Sequence, residues 1–166
     1  LEGKFVVLYA GAHGVSNDLG VVVSAAEILR PQEHIHFVML GDGKEKAALQ
    51  ARADSLGLTN ISFLPSVSKQ QIPEALAASD ACIAILKPLD MYKTTYPNKV
   101  FDYMAAARPV VLAIDGVVRE VVEAAGCGIF AHPGDPQAMA RVVQALAADT
   151  ERARCMGLAG RAYVET

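Results

Sequence analysis

Six short apolar runs, separated by stretches with helical spacing, limit what this chain can fold into more than any other feature. They are Phe5–Ala10, Ile35–Leu40, Ile61–Leu64, Ala81–Leu86, Pro109–Ile114 and Gly128–Ala131. The runs have strand length, and several stop at glycine or a polar turn. Helical segments are expected at Leu19–Leu29, Lys44–Leu56, Ser68–Ala78, Pro97–Ala107 and Val117–Ala125. Two more, Pro136–Ala148 and Thr150–Val164, close the chain. Ser68 is the expected N-cap of its helix, and Pro97 suits a first turn. A strand that is apolar along its whole length is buried on both faces, so the strands make a parallel sheet with helices on each side. Right-handed crossovers then give an α/β, doubly wound, six-stranded parallel sheet.

Composition fits one such domain. The chain has 166 residues, 52% of them hydrophobic and 20% charged, which supplies a core and excludes a disordered chain. Eighteen acids against 15 bases give a net charge of −3, which argues against a nucleic-acid or membrane-surface binder. No apolar run approaches the ~18 residues of a membrane span. The opening Leu1, in place of Met, reads as a fragment or a cloning remnant. Cys82, Cys127 and Cys155 fit neither a disulfide framework nor a zinc site and read as buried thiols of a reducing, cytoplasmic chain. His34 and His36 alternate on the second run, but no acid or cysteine joins them at metal-ligand spacing.

An open parallel sheet binds its ligands outside the carboxyl ends of the strands. The loops there are Gly11–Asp18, Gly41–Lys44, Pro65–Ser68, Lys87–Pro97 and Asp115–Gly116. The first, Gly11-Ala12-His13-Gly14, is neither a dinucleotide fingerprint nor a P-loop. Its glycines and the helix start behind it can still present N–H groups to a phosphate. His13 offers a ring N–H to the same phosphate on one reading and is an exposed loop histidine on the other. Gly41-Asp42-Gly43 is either a turn in which Asp42 caps the next helix, or a place where backbone approaches a ligand. In the segment from Thr94 to Ala105, Asn98 and Asp102 share a helix face, and Lys99 and Asp102 are spaced to pair. That pairing would be worth ~0.3–0.5 kcal/mol on a solvated face. The other reading is an anion-receptive helix start, with Lys99 near phosphate and Asp102 accepting ribose hydroxyls.

Taken in order, Tyr9-Ala10-Gly11-Ala12-His13-Gly14, Gly41-Asp42-Gly43, Pro97-Asn98-Lys99-Val100-Phe101-Asp102-Tyr103-Met104-Ala105, Arg108-Pro109-Val110-Val111, Gly126-Cys127-Gly128-Ile129 and His132-Pro133-Gly134-Asp135-Pro136 resemble the C-terminal half of family 4 retaining glycosyltransferases of the GT-B fold. The nearest flavour is the bacterial surface-polysaccharide branch, O-antigen or capsule, and the resemblance covers almost the whole chain. It implies a Rossmann-like donor-binding domain whose N-terminal, acceptor-binding partner domain is absent. It further implies a fragment that binds donor without completing catalysis.

Carried onto this chain, the second acid of the family's Glu-x7-Glu motif falls on Asp102, toward the ribose, and the first on Thr94, which is no carboxylate. Backbone amides of Thr95 and Tyr96 would hold phosphate or sugar, and Val67 backbone groups the base. The Arg and Lys that many members carry after the first strand are missing. The resemblance therefore leaves the diphosphate to loop amides around Gly11, Gly14, Gly41 and Gly43, to His13 and to Lys99, beside Asn98. No Asp-x-Asp occurs, in keeping with metal-independent binding and no cofactor beyond the nucleotide-sugar itself, a UDP-sugar by preference. The implied partners are that donor and a saccharide or lipid-linked acceptor. The implied place is the cytoplasm, at the inner face of a membrane through the absent half. No residue is identified as catalytic. Other readings are a sugar-nucleotide 2-epimerase, short of the acids and histidines its cleft needs, and a non-catalytic nucleotide-binding or interaction module. A response-regulator receiver fails, because its acids and lysine are missing from the ends of the strands.

Overall fold

β-Branched and aliphatic side chains fill both faces of a pleated sheet, and each apolar run forms a strand. They are β1 (Phe5–Ala10), β2 (Ile35–Leu40), β3 (Ile61–Leu64), β4 (Ala81–Ile85), β5 (Val110–Ala113) and β6 (Gly128–Phe130). The computed structural model describes residues 1–166 and joins all six in the order β3-β2-β1-β4-β5-β6. Every neighbouring pair is parallel, with Phe5 opposite Ile35 and Cys82 opposite Val110 setting the register.

Seven helices cover the sheet: α1 (Gly20–Ile28), α2 (Lys46–Ser55), α3 (Ile72–Ala77), α4 (Asn98–Ala105), α5 (Val117–Ala125), α6 (Pro136–Ala148) and α7 (Thr150–Glu165). Alternation along the strands divides the core. Val7, Tyr9, Phe37 and Ile83 pack with α1, α2 and α6. Leu8, Cys82, Ala84 and Leu112 pack with α3, α4 and α5. All six residues of β1 are buried, as a central strand with helices on both sides requires.

Four helices start later than the sequence expectation, α1 and α4 by one residue, α2 by two and α3 by four, and at α3 and α4 the residues at the start are informative. α3 begins at Ile72, and Ser68 lies in the turn before it, where its N–H and hydroxyl face Gln71 Oε1 at 3.1 and 3.2 Å. The bond of Gln71 back to Ser68 closes a separate turn ahead of the helix. Pro97 stands at the N-cap of α4 with φ −64° and ψ 127°, so its fixed φ ends the preceding loop and does not supply the first helical residue.

α7 runs from the α6 layer across to α4 and reaches its neighbours through glycines. A Cβ on Gly157 would lie 2.1 Å from the Ala107 carbonyl oxygen, and one on Gly160 would lie 2.9 Å from Cys127 Cβ. Cys82 and Cys127 are buried, and burial pushes their thiols up to about 12 and about 11. Cys155 departs from the expectation of three buried thiols: it is exposed, because it falls on the outer face of α7. In an open helix Gly→Ala adds up to ~1 kcal/mol of stability. Gly157→Ala is instead expected to destabilise by about 2 kcal/mol or more, because backbone fills the Cβ position. Urea unfolding checks this, and an unchanged midpoint would refute the close approach.

Candidate functional site

Strand order reverses between β1 and β4, and the carboxyl ends beside such a reversal form the ligand crevice of an open parallel sheet. Here the loops after β1 and β2 are locked together. The Gly11 N–H donates to Leu40 O at 3.0 Å, His13 N–H to Asp42 O at 2.8 Å, and Glu45 N–H to His13 O at 2.8 Å. Gly41 has φ 141°, and a Cβ there would sit 2.0 Å from Gly11 O. Gly43 has φ 155°, and its Cβ would sit 2.7 Å from the His13 backbone. Backbone packing between the loops is therefore enough to require glycine at both positions. Asp42 does not cap α2; its Oδ1 accepts the Gly43 N–H at 2.8 Å, which keeps the turn tight. Lys46 closes the same corner by donating to Gly41 O at 2.7 Å and Leu64 O at 2.9 Å.

His13 is fully buried, contrary to both sequence readings. Its Nδ1 lies 3.2 Å from Gly11 O, and Tyr9 meets it edge-on at 5.8 Å between ring centroids. A carbonyl partner makes Nδ1 the protonated nitrogen and leaves Nε2 an acceptor. Burial draws the His13 pKa below the usual imidazole range, against the opposing pull of Gly11 O. Nε2 is buried without a partner. No ring N–H is left for a phosphate, so His13 is a part of the loop's interior. Gly14 is likewise engaged: its N–H donates to Asn17 Oδ1 at 3.3 Å. It faces a separate 340 Å³ cleft with Asp18, Glu45 and Lys87.

Lys99, in the first turn of α4, does not pair with Asp102. Its Nζ donates to Tyr9 Oη at 3.1 Å and lies 4.3 Å from the centre of the Tyr9 ring. A Cβ at Gly11 would be 2.4 Å from Nζ, so Gly11 leaves the space the ammonium occupies. Lys99 takes part in none of the ion pairs of the structure, and burial draws its pKa down to about 8. An ammonium held this way, without a carboxylate, is short of an anion.

Its neighbours Gly11 and Asn98 each line a cleft, and the two clefts adjoin. One, of 360 Å³, lies over Gly11, Gly41, Ser66 and Val67. The other, of 660 Å³, runs between α3 and α4 and is lined by Asn98, Phe101 and the exposed Asp102. Lys69 and Ile72 border both. The structure thus brings Gly11, Gly41, Val67, Asn98, Lys99 and Asp102 to adjoining surfaces. Thr94 ends a short 3-10 turn (Asp90–Thr94), and the Thr95 N–H is already given to Tyr92 O at 3.2 Å, so it is not free for a ligand. The amides of Tyr96, Asn98 and Lys99 donate to no backbone acceptor, and Tyr96 is exposed. Lys46, Lys69 and Tyr9 were not singled out by the sequence. Lys46 and Lys69 look like surface lysines, and Tyr9 looks like core. His36 hydrogen-bonds Ser62 Oγ at 2.7 Å through Nε2. No group of three His, Cys, Asp or Glu stands close enough to hold a metal ion.

The sequence profile of the Glycosyl transferases group 1 family matches residues 4–149, and the chain belongs to that family. WcaI of Escherichia coli (strain K12), named for a provisional assignment as a colanic acid biosynthesis glycosyl transferase, is 29% identical over 114 residues, 69% of this chain and 28% of its own length. Among solved structures, Anabaena HepE in complex with UDP superposes with a TM-score of 0.82 at 22% identity, covering 98% of this chain and 44% of HepE. The lipopolysaccharide glycosyltransferase WaaG gives 0.83 at 18% identity, covering 100% of this chain and 44% of its own. The C-terminal domain of LpcC from Francisella tularensis, a group 1 family protein, gives 0.82 at 17% identity over 98% of this chain and 85% of that domain. These likenesses establish the half-domain fold of GT-B enzymes. The chain spans 28% of the length of WcaI and 44% of that of HepE and of WaaG. No helix is long and apolar enough to cross a membrane.

Burying Lys99 lowers its pKa from 10.5 to about 8, so the folded domain bears the cost of the charge at neutral pH. Between those values the unfolded chain holds more protons, and stability rises with pH. Lys99→Met is expected to stabilise the domain by about 1–2 kcal/mol at pH 7, after allowance for the lost ring contact. The gain should fade as pH passes from 8 to 10.5. Thermal unfolding across that range checks it, and a destabilised variant at pH 7 would contradict it.

Proposed function

We propose that this domain holds the nucleoside diphosphate of a sugar donor, a UDP-sugar, in the joined clefts at the carboxyl ends of β1, β2 and β4. The observation that carries the reading is Lys99: a partly buried ammonium with no carboxylate partner, held against Gly11, on a helix whose entry amides, those of Tyr96, Asn98 and Lys99, are free. An anion placed there meets a fixed positive charge and the positive end of α4, both preorganised before it arrives. Diphosphate charge met in this way calls for no divalent cation. Asp102, one turn further along α4, accepts the ribose hydroxyls, and backbone groups at Val67 meet the base. Gly11 and Gly41 keep the floor of the cleft flat.

In the complete enzyme the sugar passes, with retention at its anomeric carbon, to a saccharide or lipid-linked acceptor in surface-polysaccharide synthesis, O-antigen or capsule. The acceptor and the closing wall of the cleft belong to an N-terminal domain, and this chain alone is inactive. The enzyme works in the cytoplasm, at the inner face of the membrane. Supporting this reading are family membership, the UDP-bound state of HepE, and the polysaccharide and lipopolysaccharide assignments of WcaI and WaaG.

Calorimetric titration with UDP, GDP and ADP, without and then with magnesium, tests the reading on this chain and on the complete enzyme. Saturable, magnesium-indifferent binding of UDP is expected; no nucleotide binding by the complete enzyme would sink it and leave an interaction module. Asp102→Ala should weaken UDP more than about tenfold, the least that one hydrogen bond to a carboxylate contributes. Lys99→Ala should weaken UDP far more than uridine. Because the phosphate needs the charged amine, UDP affinity should fall as pH rises above about 8 while uridine affinity stays level. Equal pH dependence for both would remove Lys99 from the phosphate.

A further inference from the structure

Tyr9 lies on the central strand and is fully buried, yet its hydroxyl is the one side-chain group that meets Lys99. The hydroxyl makes two directed contacts. It donates its proton to Ala12 O at 2.7 Å, which leaves a lone pair free to accept from Lys99 Nζ at 3.1 Å. The ring below adds attraction for the cation at 4.3 Å from its centre. One of the three ammonium protons is thereby engaged, and the other two have no partner in the protein, where Nζ stands against Gly11. The titratable groups beside Lys99 are Tyr9 and His13; burial raises the phenol well above its usual range and lowers the imidazole, so both stay neutral. The charge of Lys99 therefore has only the Tyr9 hydroxyl and ring to hold it.

Resting on the donor reading above, we infer that Tyr9 is a positioning residue for diphosphate binding. It holds the Lys99 ammonium against Gly11, which lines the cleft, through its hydroxyl, itself oriented by Ala12 O. A free lysine has four rotatable bonds and strong hydration, and would otherwise spend its charge in solvent. The hydroxyl sets where the phosphate meets the cation, and the ring keeps the cation from withdrawing. The arrangement also ties cation placement to loop placement, because Ala12 belongs to the β1 loop. A displaced loop would turn the phenol and release the lysine.

Tyr9→Phe tests this without emptying the core, because only the hydroxyl is lost. In the complete enzyme, UDP affinity should fall about tenfold or more, the value of one hydrogen bond to a charged group, and uridine affinity by less than about twofold. In a Lys99→Met background, Tyr9→Phe should change UDP affinity no further. Additive losses would show that the hydroxyl acts on the loop alone and would overturn the inference. A ligand-free arm uses acetic anhydride, with the acetylation of Lys99 followed by mass spectrometry against pH. Loss of the accepting hydroxyl should move the Lys99 titration to lower pH, and an unmoved titration would overturn the inference. If the wild type binds no UDP, or if Lys99→Met costs nothing, the donor reading fails, while the acetylation arm still judges Tyr9.

Discussion

The Gly11 carbonyl oxygen stands where a side chain on residue 41 would begin, and the His13 backbone does the same to residue 43. This interlock of two loops is the constraint on which the rest of the site depends. It holds the ends of β1 and β2 in one fixed relation, so that the floor of the cleft is bare backbone. It encloses His13, whose ring fills the interior of the loop and whose bond to Gly11 O ties the turn to itself. It leaves above Gly11 a space the size of a methyl group, into which Lys99 reaches from α4. Glycine is needed because a second backbone occupies the volume, whether or not a ligand comes near.

From that geometry follows an unusual electrostatic state. A lysine lies partly buried against an aromatic ring, with no acid to neutralise it and a pKa drawn down to about 8. Such a group costs the folded domain stability. Its attraction for an anion is correspondingly large, because a charge out of bulk water is screened less. The resemblance leads one to expect an Arg and a Lys after the first strand, and this chain has neither. A single cation delivered from the other side of the switch point can do comparable work if it is held in place. The Tyr9 hydroxyl and ring provide that hold, and the amides that open α4 are free as well.

The architecture was largely legible because it rests on short-range information. Val117–Ala125 and Pro136–Ala148 coincide with α5 and α6, and the six apolar runs are the six strands. The exceptions lie at helix starts: Ser68 and Gln71 form a separate turn before α3, and Pro97 stands outside α4 at its N-cap. The site was legible only as a set of loops. Spacing offered Asp102 to Lys99 at i,i+3, but burial and a ring from β1 took Lys99 elsewhere. Spacing also marked His13 as a loop residue, and a loop folded against its neighbour turned it inward. Lys69 bears no sequence mark at all, because its place at the junction of two clefts depends on how α3 and α4 lie side by side.

The sequence by itself determined the periodicities, and with them the parallel sheet, its two helical layers and the edge on which ligands are received. Those follow from hydrophobic pattern and turn chemistry, which act over a few residues. Only the tertiary structure decided which glycines serve backbone packing, which histidine is enclosed, and which lysine is left without a counter-ion. Each of those depends on atoms far apart along the chain: Tyr9 and Lys99, separated by 90 residues, or Gly11 and Gly41. Desolvation and close approach arise only when such distant segments meet, and a one-dimensional pattern carries no record of them.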